Sequence, residues 1–277
     1  MKTVGLTSLL LWLLVASVLA QPAPAPGLLF NDEAYAQVSY QDILSKEPLP
    51  GRVSFESLCP PVQAQGAYGT CVGFACGYYL RTILEAKARR VKTRRDIGKL
   101  AFSPSYLYEK AKADGDYACS EGVYLSKVFT VLKDIGSVPF NRFPYPACGQ
   151  QTKAVDALAA RYRIRGYARL FNVQDSELKK VINLKKALAE GAPVVVGMVI
   201  PPSFYRAGRS WKPTPADNPQ DKQLPGHALC LIGYDDNRLG GAFRVVNSFG
   251  KAWADGGFCW IGYQDMVRFT RYGYVVK

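Results

Sequence analysis

The sequence predicts an α+β fold in which a helical half precedes a β-rich half. Apolar residues recur at helical spacing in the first half, and short β-branched runs separated by turn residues fill the second. With 277 residues, 48% of them hydrophobic and 21% charged, the chain can bury a full core and does not have the composition of a disordered protein. Clefts between two such halves commonly hold functional sites, so we expect the site there.

Four helices are predicted from apolar spacing and from start and stop signals. The first carries a buried stripe at helical spacing, made of Val72, Cys76, Tyr79 and Ile83. The second follows from Pro104, whose missing N–H is not needed at the first helical position. A glycine that can end a helix follows each of the last two. The predicted helices begin at Gly69 or Thr70, begin at Ser103, run from about 121 to 133 and run from about 176 to 190.

Five strands are predicted where β-branched and aromatic apolar residues follow one another. Turn residues such as Asp235, Asn237 and Gly240 lie between them, as is usual for hairpin connections. The predicted strands are 193–200, 228–232, 243–246, 258–261 and 272–276.

The first residues have the features of a secretory signal peptide, which we predict for residues 1–20. Lys2 gives a basic start, an apolar run covers 9–19, and the small residues Val18 and Ala20 suit a cleavage point. An uncleaved membrane anchor is the alternative, but the run is short for a bilayer span. We therefore expect a secreted or periplasmic protein that is not embedded in a membrane after signal removal.

Residues 21–48 differ in composition from the rest. Three prolines, Pro22, Pro24 and Pro26, make a stiff entry, and acidic residues outnumber basic ones. This stretch is either a short propiece lying across the basic body or a linker, and the sequence leaves both open. Residues 49–277 are expected to form the globular domain, with the helical half at about 59–150 and the β-rich half at about 151–277.

The formal net charge of +13 favours contact with anionic surfaces such as cell-wall polymers, or simply a well-solvated surface. The densest basic cluster, at 89–95, comes with no nucleic-acid-binding module, so no nucleic-acid partner is expected. One histidine and no clustered cysteines or carboxylates cannot build a zinc site. No metal or other cofactor is expected.

Cys71, at the predicted start of the first helix, is the candidate nucleophile. Unpaired N–H groups and the helix dipole favour a thiolate there, and Gly69 leaves room for a substrate backbone. His227 is the only histidine, so it is the candidate base. Asn247 follows a predicted strand and could orient that imidazole. Gln65, on the loop before the helix, could supply an oxyanion-hole donor.

These residues lie in segments that resemble the papain family of cysteine peptidases. The run Pro-Val-Gln-Ala-Gln-Gly-Ala-Tyr-Gly-Thr-Cys at 61–71 resembles that family's active-site segment. Gly-His-Ala at 226–228 resembles its histidine segment, and Asn-Ser-Phe-Gly at 247–250 its asparagine segment. The weaker likeness around these segments extends the resemblance to about 49–277, in the family's order.

The resemblance implies a two-domain fold, with Cys71 on the helical half and His227 and Asn247 on an antiparallel, barrel-like half. It implies a cysteine peptidase acting on peptide or protein substrates through a thiolate–imidazolium pair and a thioester acyl-enzyme. Gln65 would be the oxyanion donor. It implies a disulfide between Cys119 and Cys148. The expected substrate-binding residues are Gly69, Glu121, Gly122, Gly226 and Phe249.

The sequence also departs from the family's pattern. Tyr68 replaces a cysteine, Val72 and Phe249 replace tryptophans, and Glu121 replaces a glycine in the substrate-pairing stretch. These departures keep a non-catalytic papain-like binding module open as an alternative. The basic, exported character keeps a second alternative open, which is a cell-wall peptide hydrolase on the same fold. Seven cysteines is an odd number, so at least one thiol stays outside the disulfides of a single chain.

Overall fold

The computed structural model describes residues 24–42 and 48–277. The predicted signal peptide therefore lies outside the described residues, as do 21–23 and 43–47. In the described part, no helix is both long enough and apolar enough to cross a membrane.

Helices cluster in the first half of the chain and strands in the second, as the α+β prediction requires. The helices are α1 (Asp32–Ala36), α2 (Cys71–Gly73), α3 (Thr82–Ala88), α4 (Arg94–Lys99), α5 (Pro104–Ala111), α6 (Leu125–Asp134), α7 (Lys153–Ala159), α8 (Glu177–Ala189), α9 (Pro202–Tyr205) and α10 (Tyr263–Phe269). Short 3₁₀ turns occur at Glu56–Leu58, Phe140–Arg142 and Ala160–Tyr162.

One mostly antiparallel sheet organises the second half of the chain. The strands are β1 (Leu28–Leu29), β2 (Arg52–Ser54), β3 (Val123–Tyr124), β4 (Tyr167–Arg169), β5 (Val194–Val199), β6 (Ser210–Trp211), β7 (Gly226–Asp235), β8 (Ala242–Val246), β9 (Phe258–Gly262) and β10 (Thr270–Val276). They are ordered β4-β10-β5-β7-β8-β9-β6, and β1 and β2 also pair with β7. β7 is thus the hub of the sheet, and it carries His227 at its start.

The central helix of the first half is not a plain α-helix. α2 continues into a π-helical stretch, Phe74–Arg81, and then into α3. The predicted stripe of Val72, Cys76, Tyr79 and Ile83 is fully buried, but so are most of the residues between them. A helix that is buried nearly all round lies inside the core rather than on a surface. π-helical turns are frequently found at functional sites.

Two of the other predicted helices match closely. Ser103 caps α5 by accepting a hydrogen bond from the Tyr106 N–H, and Pro104 is its first residue. Ser176 caps α8 in the same way, and Gly191 follows its end with φ +89°. The predicted start of the remaining helix at residue 121 is wrong. Gly122 has φ +77°, which is incompatible with a helix, and β3 comes before α6 begins.

All five predicted strands are confirmed, with bounds shifted by a few residues. β1 to β4 and β6 were not predicted from the sequence, and neither were short helices such as α4 and α10. Each is only two to seven residues long, which gives too few repeats for a periodic signal.

Candidate active site

Cys71 is the first residue of α2 and is completely buried. Burial raises the pKa of its thiol to about 11, because a thiolate without solvent is costly. Backbone N–H groups of Ala228, Gly27 and Val72 act in the opposite direction and favour the thiolate. Two of these three belong to other parts of the chain. Ala228 directly follows His227, so α2 and β7 meet at this sulfur.

His227 lies on β7 and is also completely buried. Its Nε2 is 2.8 Å from Oδ1 of Asn247. Burial lowers the pKa of the imidazole to about 4, and the hydrogen bond with Asn247 only partly opposes this. Its other nitrogen, Nδ1, has no hydrogen-bond partner among the described residues, so the imidazole and the Cys71 thiol are not hydrogen-bonded to each other here.

Asn247 is held so that its side-chain oxygen faces the imidazole. Its backbone carbonyl accepts a hydrogen bond from the Tyr79 hydroxyl at 2.9 Å, and its N–H donates to the Gly257 carbonyl at 3.0 Å. Oδ1 also accepts from the Ser248 N–H at 2.7 Å. Because Oδ1 can only accept hydrogen bonds, the imidazole Nε2 must carry a proton and donate to it. The unprotonated, basic nitrogen of the ring is then Nδ1.

Phe249 covers the imidazole, with its ring centroid 4.6 Å from that of His227. Phe204 and Trp253 complete an aromatic cluster, and the Trp253 indole donates to the Phe204 carbonyl at 3.0 Å. This cluster excludes water from the hydrogen bond between His227 and Asn247 and so strengthens it.

Gln65 is buried and faces the same cleft. Its Oε1 accepts from the Ser248 hydroxyl at 2.6 Å, which fixes the amide so that its NH₂ group points the other way. Nε2 donates to the carbonyls of Ala25 and Tyr68, each at 2.7 Å. In this orientation the amide presents its N–H donors to carbonyl oxygens and not to hydrogen-bond donors.

The cleft between the two halves is filled by the chain's own N-terminal residues. Leu28 pairs in parallel with Val123 and antiparallel with Gly226. Gly27 lies so close to the helical half that a Cβ on it would be 1.8 Å from the Gly69 carbonyl oxygen. We call residues Ala25–Leu29 the blocking strand.

The glycines predicted to bind substrate all border the blocking strand. A Cβ on Gly122 would lie 2.5 Å from the Gly27 carbonyl oxygen, and one on Gly226 would lie 2.3 Å from the Leu28 carbonyl oxygen. The Gly69 N–H donates to the Cys119 carbonyl at 2.7 Å, which holds the rim of the cleft beside Cys71. Glu121 is different, since it is exposed and its contact is with the neighbouring Ser120 hydroxyl.

Tyr108 and Asp116 support the loop at Gly122, and neither residue was predicted from the sequence. The Tyr108 hydroxyl donates to Asp116 at 2.6 Å and accepts from the Gly122 N–H at 2.9 Å. Asp116 also accepts from the Ser120 N–H at 3.0 Å. The hydrogen bonds that Tyr108 and the backbone donate hold the pKa of the Asp116 carboxyl below its ordinary value, against the opposing effect of burial.

The disulfide between Cys119 and Cys148 is present, with the two Cα atoms 5.6 Å apart. The remaining cysteines besides Cys71 are buried and unpaired: Cys59, Cys76, Cys230 and Cys259. Burial raises the pKa of each of these thiols. Within the described ranges, no group of three or more His, Cys, Asp or Glu residues is arranged to bind a metal ion.

Comparison with known proteins identifies the family. Residues 52–272 match the model of the papain family of cysteine proteases, and the chain belongs to that family. It is similar to cysteine proteinase 3 of Entamoeba histolytica, with 26% identity over 213 residues that cover 76% of this chain and 61% of that protein. It is similar to cathepsin K of Mus musculus, with 25% identity over 202 residues, or 72% of this chain and 54% of cathepsin K. The chain therefore spans less than two thirds of the length of these relatives.

Solved structures give the same fold. Xylellain, a cysteine protease from Xylella fastidiosa, superposes with a TM-score of 0.71 at 23% identity, covering 93% of this chain and 97% of xylellain. Digestive procathepsin L 3 of Tenebrio molitor superposes with a TM-score of 0.67 at 19% identity, covering 88% of this chain and 77% of that chain. The predicted papain-like α+β fold is confirmed.

Proposed function

We propose that this chain is a cysteine peptidase in which Cys71 is the nucleophile and His227 the base. One observation carries the proposal: Asn247 occupies Nε2 of the only histidine, which leaves its basic Nδ1 in the cleft where α2 and β7 meet at the Cys71 sulfur. A non-catalytic binding module, the alternative, would not need the His227 imidazole in this tautomer. It would also not need the aromatic cover by Phe249 or the fixed amide of Gln65.

Catalysis begins when a peptide replaces the blocking strand. Nδ1 of His227 takes the proton of the Cys71 thiol, and the helix N-terminus stabilises the thiolate that remains. The thiolate attacks the carbonyl carbon, and the π electrons of the carbonyl move to its oxygen. The oxyanion accepts hydrogen bonds from Gln65 Nε2 and from the Cys71 backbone N–H.

The reaction is then completed in two stages, formation of the acyl-enzyme and its hydrolysis. The imidazolium of His227 gives its proton to the amine nitrogen as the carbon–nitrogen bond breaks, which leaves a thioester on Cys71. A water molecule gives a proton to the same imidazole and attacks the thioester. The carbon–sulfur bond breaks, the acid product leaves, and the thiolate–imidazolium pair is restored. Asn247 keeps the imidazole oriented through both stages.

We also infer that the structure represents a latent form and that the N-terminal segment acts as a propiece rather than a linker. The Ala25 carbonyl takes the place at Gln65 Nε2 that a substrate carbonyl oxygen would need. The backbone of Gly27 covers Cys71, and burial keeps both the thiol and the imidazole neutral at pH 7. In this state a substrate cannot reach Cys71, and the Cys71 side chain is not a thiolate.

The proposed site of action is outside the cytosol, in the extracellular space or the periplasm. The disulfide between Cys119 and Cys148 supports this location, because such bonds persist in oxidising compartments. The net charge of +13 supports contact with anionic envelope polymers. Ordinary peptides or proteins are the proposed substrates.

The test uses a variant that cannot keep the blocking strand in place. In Gly27→Val the added side chain would collide with the Gly69 carbonyl, so the cleft should open. We expect this variant to hydrolyse fluorogenic peptides and to lose that activity with the thiol alkylator E-64 or with Cys71→Ser. Gly51→Val is the matched control, because a Cβ at Gly51 meets no atom within 4 Å.

Activity that survives Cys71→Ser unchanged would refute the proposed mechanism. The same preparation, incubated with purified peptidoglycan and followed by mass spectrometry, tests the cell-wall alternative. Released muropeptides without cleavage of ordinary peptides would make the protein a cell-wall peptide hydrolase instead. If neither substrate is cleaved and Cys71 is alkylated no faster than a free cysteine, the chain is a binding module.

A further inference from the structure

The N-terminal segment consists of two parts with different surroundings. The blocking strand, Ala25–Leu29, fills the cleft. The following residues, Phe30–Tyr40, which we call the anchor, pack against the β-rich half and contain α1. Asn31 caps α1 by accepting a hydrogen bond from the Ala34 N–H at 2.8 Å, so the anchor has its own local structure.

The blocking strand marks a side-chain pocket in the cleft. The side chain of Leu28 is almost completely buried. A Cβ on Gly197 would lie 2.8 Å from Leu28 Cδ2, 3.0 Å from Leu125 Cδ1 and 3.4 Å from Tyr272 Cδ2. These side chains therefore converge on the space that Gly197 leaves empty. We call it the Leu28 pocket, with Leu125, Gly197 and the Tyr272 ring as its lining.

The anchor holds the Tyr272 ring of this pocket in place. Tyr35 stacks on Tyr272 with ring centroids 4.4 Å apart, and Phe30 meets it edge-on at 5.4 Å. The Tyr272 hydroxyl donates to Asp32 Oδ1 at 2.7 Å. Arg271, the residue before Tyr272, forms a bidentate ion pair with the same carboxylate. Every one of these contacts comes from residues after the blocking strand.

The anchor is also built into the core. Tyr35 is only 1% exposed. Its hydroxyl donates to the Phe171 carbonyl at 2.8 Å and accepts from the Gly273 N–H at 3.1 Å. Beyond α1, the Arg169 N–H donates to the Ser39 carbonyl at 2.9 Å, which extends the sheet at β4. Removing the anchor would expose apolar rings and leave buried backbone groups without partners.

We propose, on the basis of the proposed peptidase function, that only the blocking strand leaves on activation. The anchor stays as a permanent part of the working enzyme, and Asp32 and Tyr35 act as positioning residues for Tyr272. The pocket so formed takes an aliphatic side chain of leucine size, as Leu28 does in the latent form. The pocket lining is apolar, and the nearby charges of Asp32 and Arg271 are already paired with each other, so a charged substrate residue would find no partner there.

The test compares anchor variants in the full chain carrying Gly27→Val, so that the cleft is open throughout. Asp32→Asn removes the charge that binds Arg271, and Tyr35→Ala removes the ring that stacks on Tyr272. Tyr35→Phe keeps the ring and serves as the conservative rescue. Glu33→Ala is the control, since Glu33 is exposed on the same helix. Substrates are peptide pairs with Leu or Ala at each of the three residues before the cleaved bond.

We expect the preference for leucine over alanine to fall about tenfold in Asp32→Asn and in Tyr35→Ala, through a higher KM for the leucine peptide. Tyr35→Phe should recover most of it, and Glu33→Ala should not change it. A merely structural effect would lower the rates on both peptides alike and leave their ratio unchanged, which would overturn the proposal. Anchor variants that cleave both peptides faster would show that the anchor only inhibits, and would overturn it too.

A second measurement does not depend on catalysis. In Gly27→Val, hydrogen–deuterium exchange should show residues 25–29 exposed and residues 32–40 still protected. Loss of protection across both parts would mean that the segment leaves as one unit, which contradicts the proposal. If Gly27→Val cleaves no peptide at all while the anchor remains protected, the proposed peptidase function fails and the division of the segment stands.

Discussion

At the scale of single residues, the site depends on polar atoms that the backbone holds in fixed directions. Gln65 shows this, because the Ser248 hydroxyl at its Oε1 turns Nε2 toward the cleft. His227 shows it again, because Asn247 selects which ring nitrogen remains basic. The sequence places each of these residues beside a predicted element, with Gln65 before a helix, His227 before a strand and Asn247 after one, but it does not give the direction of their polar atoms.

Replacement of Gln65 tests the oxyanion hole. In the Gly27→Val background, Gln65→Ala should lower kcat about 10²-fold with little change in KM, because the lost hydrogen bond strengthens only as charge develops on the oxygen. Steady-state kinetics on a fluorogenic peptide measures both constants. Gln63→Ala is the matched control, since Gln63 is an exposed glutamine two residues away. Equal losses in both variants would exclude the assigned role.

Replacement of Gly197 tests the size of the Leu28 pocket. A methyl group in Gly197→Ala would lie 2.8 Å from the position of Leu28 Cδ2, so it would occupy space that a leucine side chain needs. We expect kcat/KM for the leucine peptide to fall about tenfold, because a lost fit of one or two methylene groups is worth about 1–3 kcal/mol. The alanine peptide should be cleaved as before. Unchanged selectivity would place the pocket elsewhere.

At the scale of elements, the short segments are what the sequence could not predict. β1 and β3 have two residues each, and they exist only because the blocking strand and the loop at Gly122 lie side by side. Nothing local to Gly27 signals that it will pass within contact distance of Gly69. The same holds for Tyr108, whose hydroxyl meets Gly122 through the fold and not through any pattern on α5.

Removing one hydroxyl tests how α5 supports this loop. Tyr108→Phe would leave the Asp116 carboxylate short of a donor and the Gly122 N–H without an acceptor, both in buried surroundings. We expect a loss of about 1–3 kcal/mol in the free energy of unfolding and a raised KM. Urea denaturation and peptide kinetics measure the two effects. Tyr117→Phe is the control, because Tyr117 is 75% exposed and should change neither.

At the scale of the whole molecule, the opening of the cleft between the two halves is linked to the position of the N-terminal segment and to the protonation of the residues that it covers. The sequence predicted both halves and the residues at their junction, but it left open whether 21–48 was a propiece or a linker. That question depends on contacts between residues far apart in the chain, such as Asp32 with Arg271. The proline content and net charge of residues 21–48 fit a propiece and a linker equally well, so composition does not distinguish the two.

The same linkage predicts how pH acts on latency. With the blocking strand in place, burial lowers the pKa of His227 to about 4, whereas a solvated imidazole has its ordinary value of 6.5. The open form therefore binds protons more readily, and opening becomes more favourable as pH falls from 6.5 toward 4. The hydrogen bond from Arg271 lowers the pKa of Asp32 below its ordinary 3.8, so the interaction of Asp32 with Arg271 is fully present above that pH and is lost only below it.

Between these limits the blocking strand should loosen while the anchor holds. Hydrogen–deuterium exchange on full-length Cys71→Ser, corrected for intrinsic rates, should show residues 25–29 less protected at about pH 4.5 than at about pH 7.5, with 32–40 unchanged. Adding His227→Gln removes the titrating group, so protection should no longer depend on pH in this window. A pH dependence that persists in His227→Gln would assign the response to another group. Simultaneous loss of protection in both parts would mean that the anchor and the blocking strand open together.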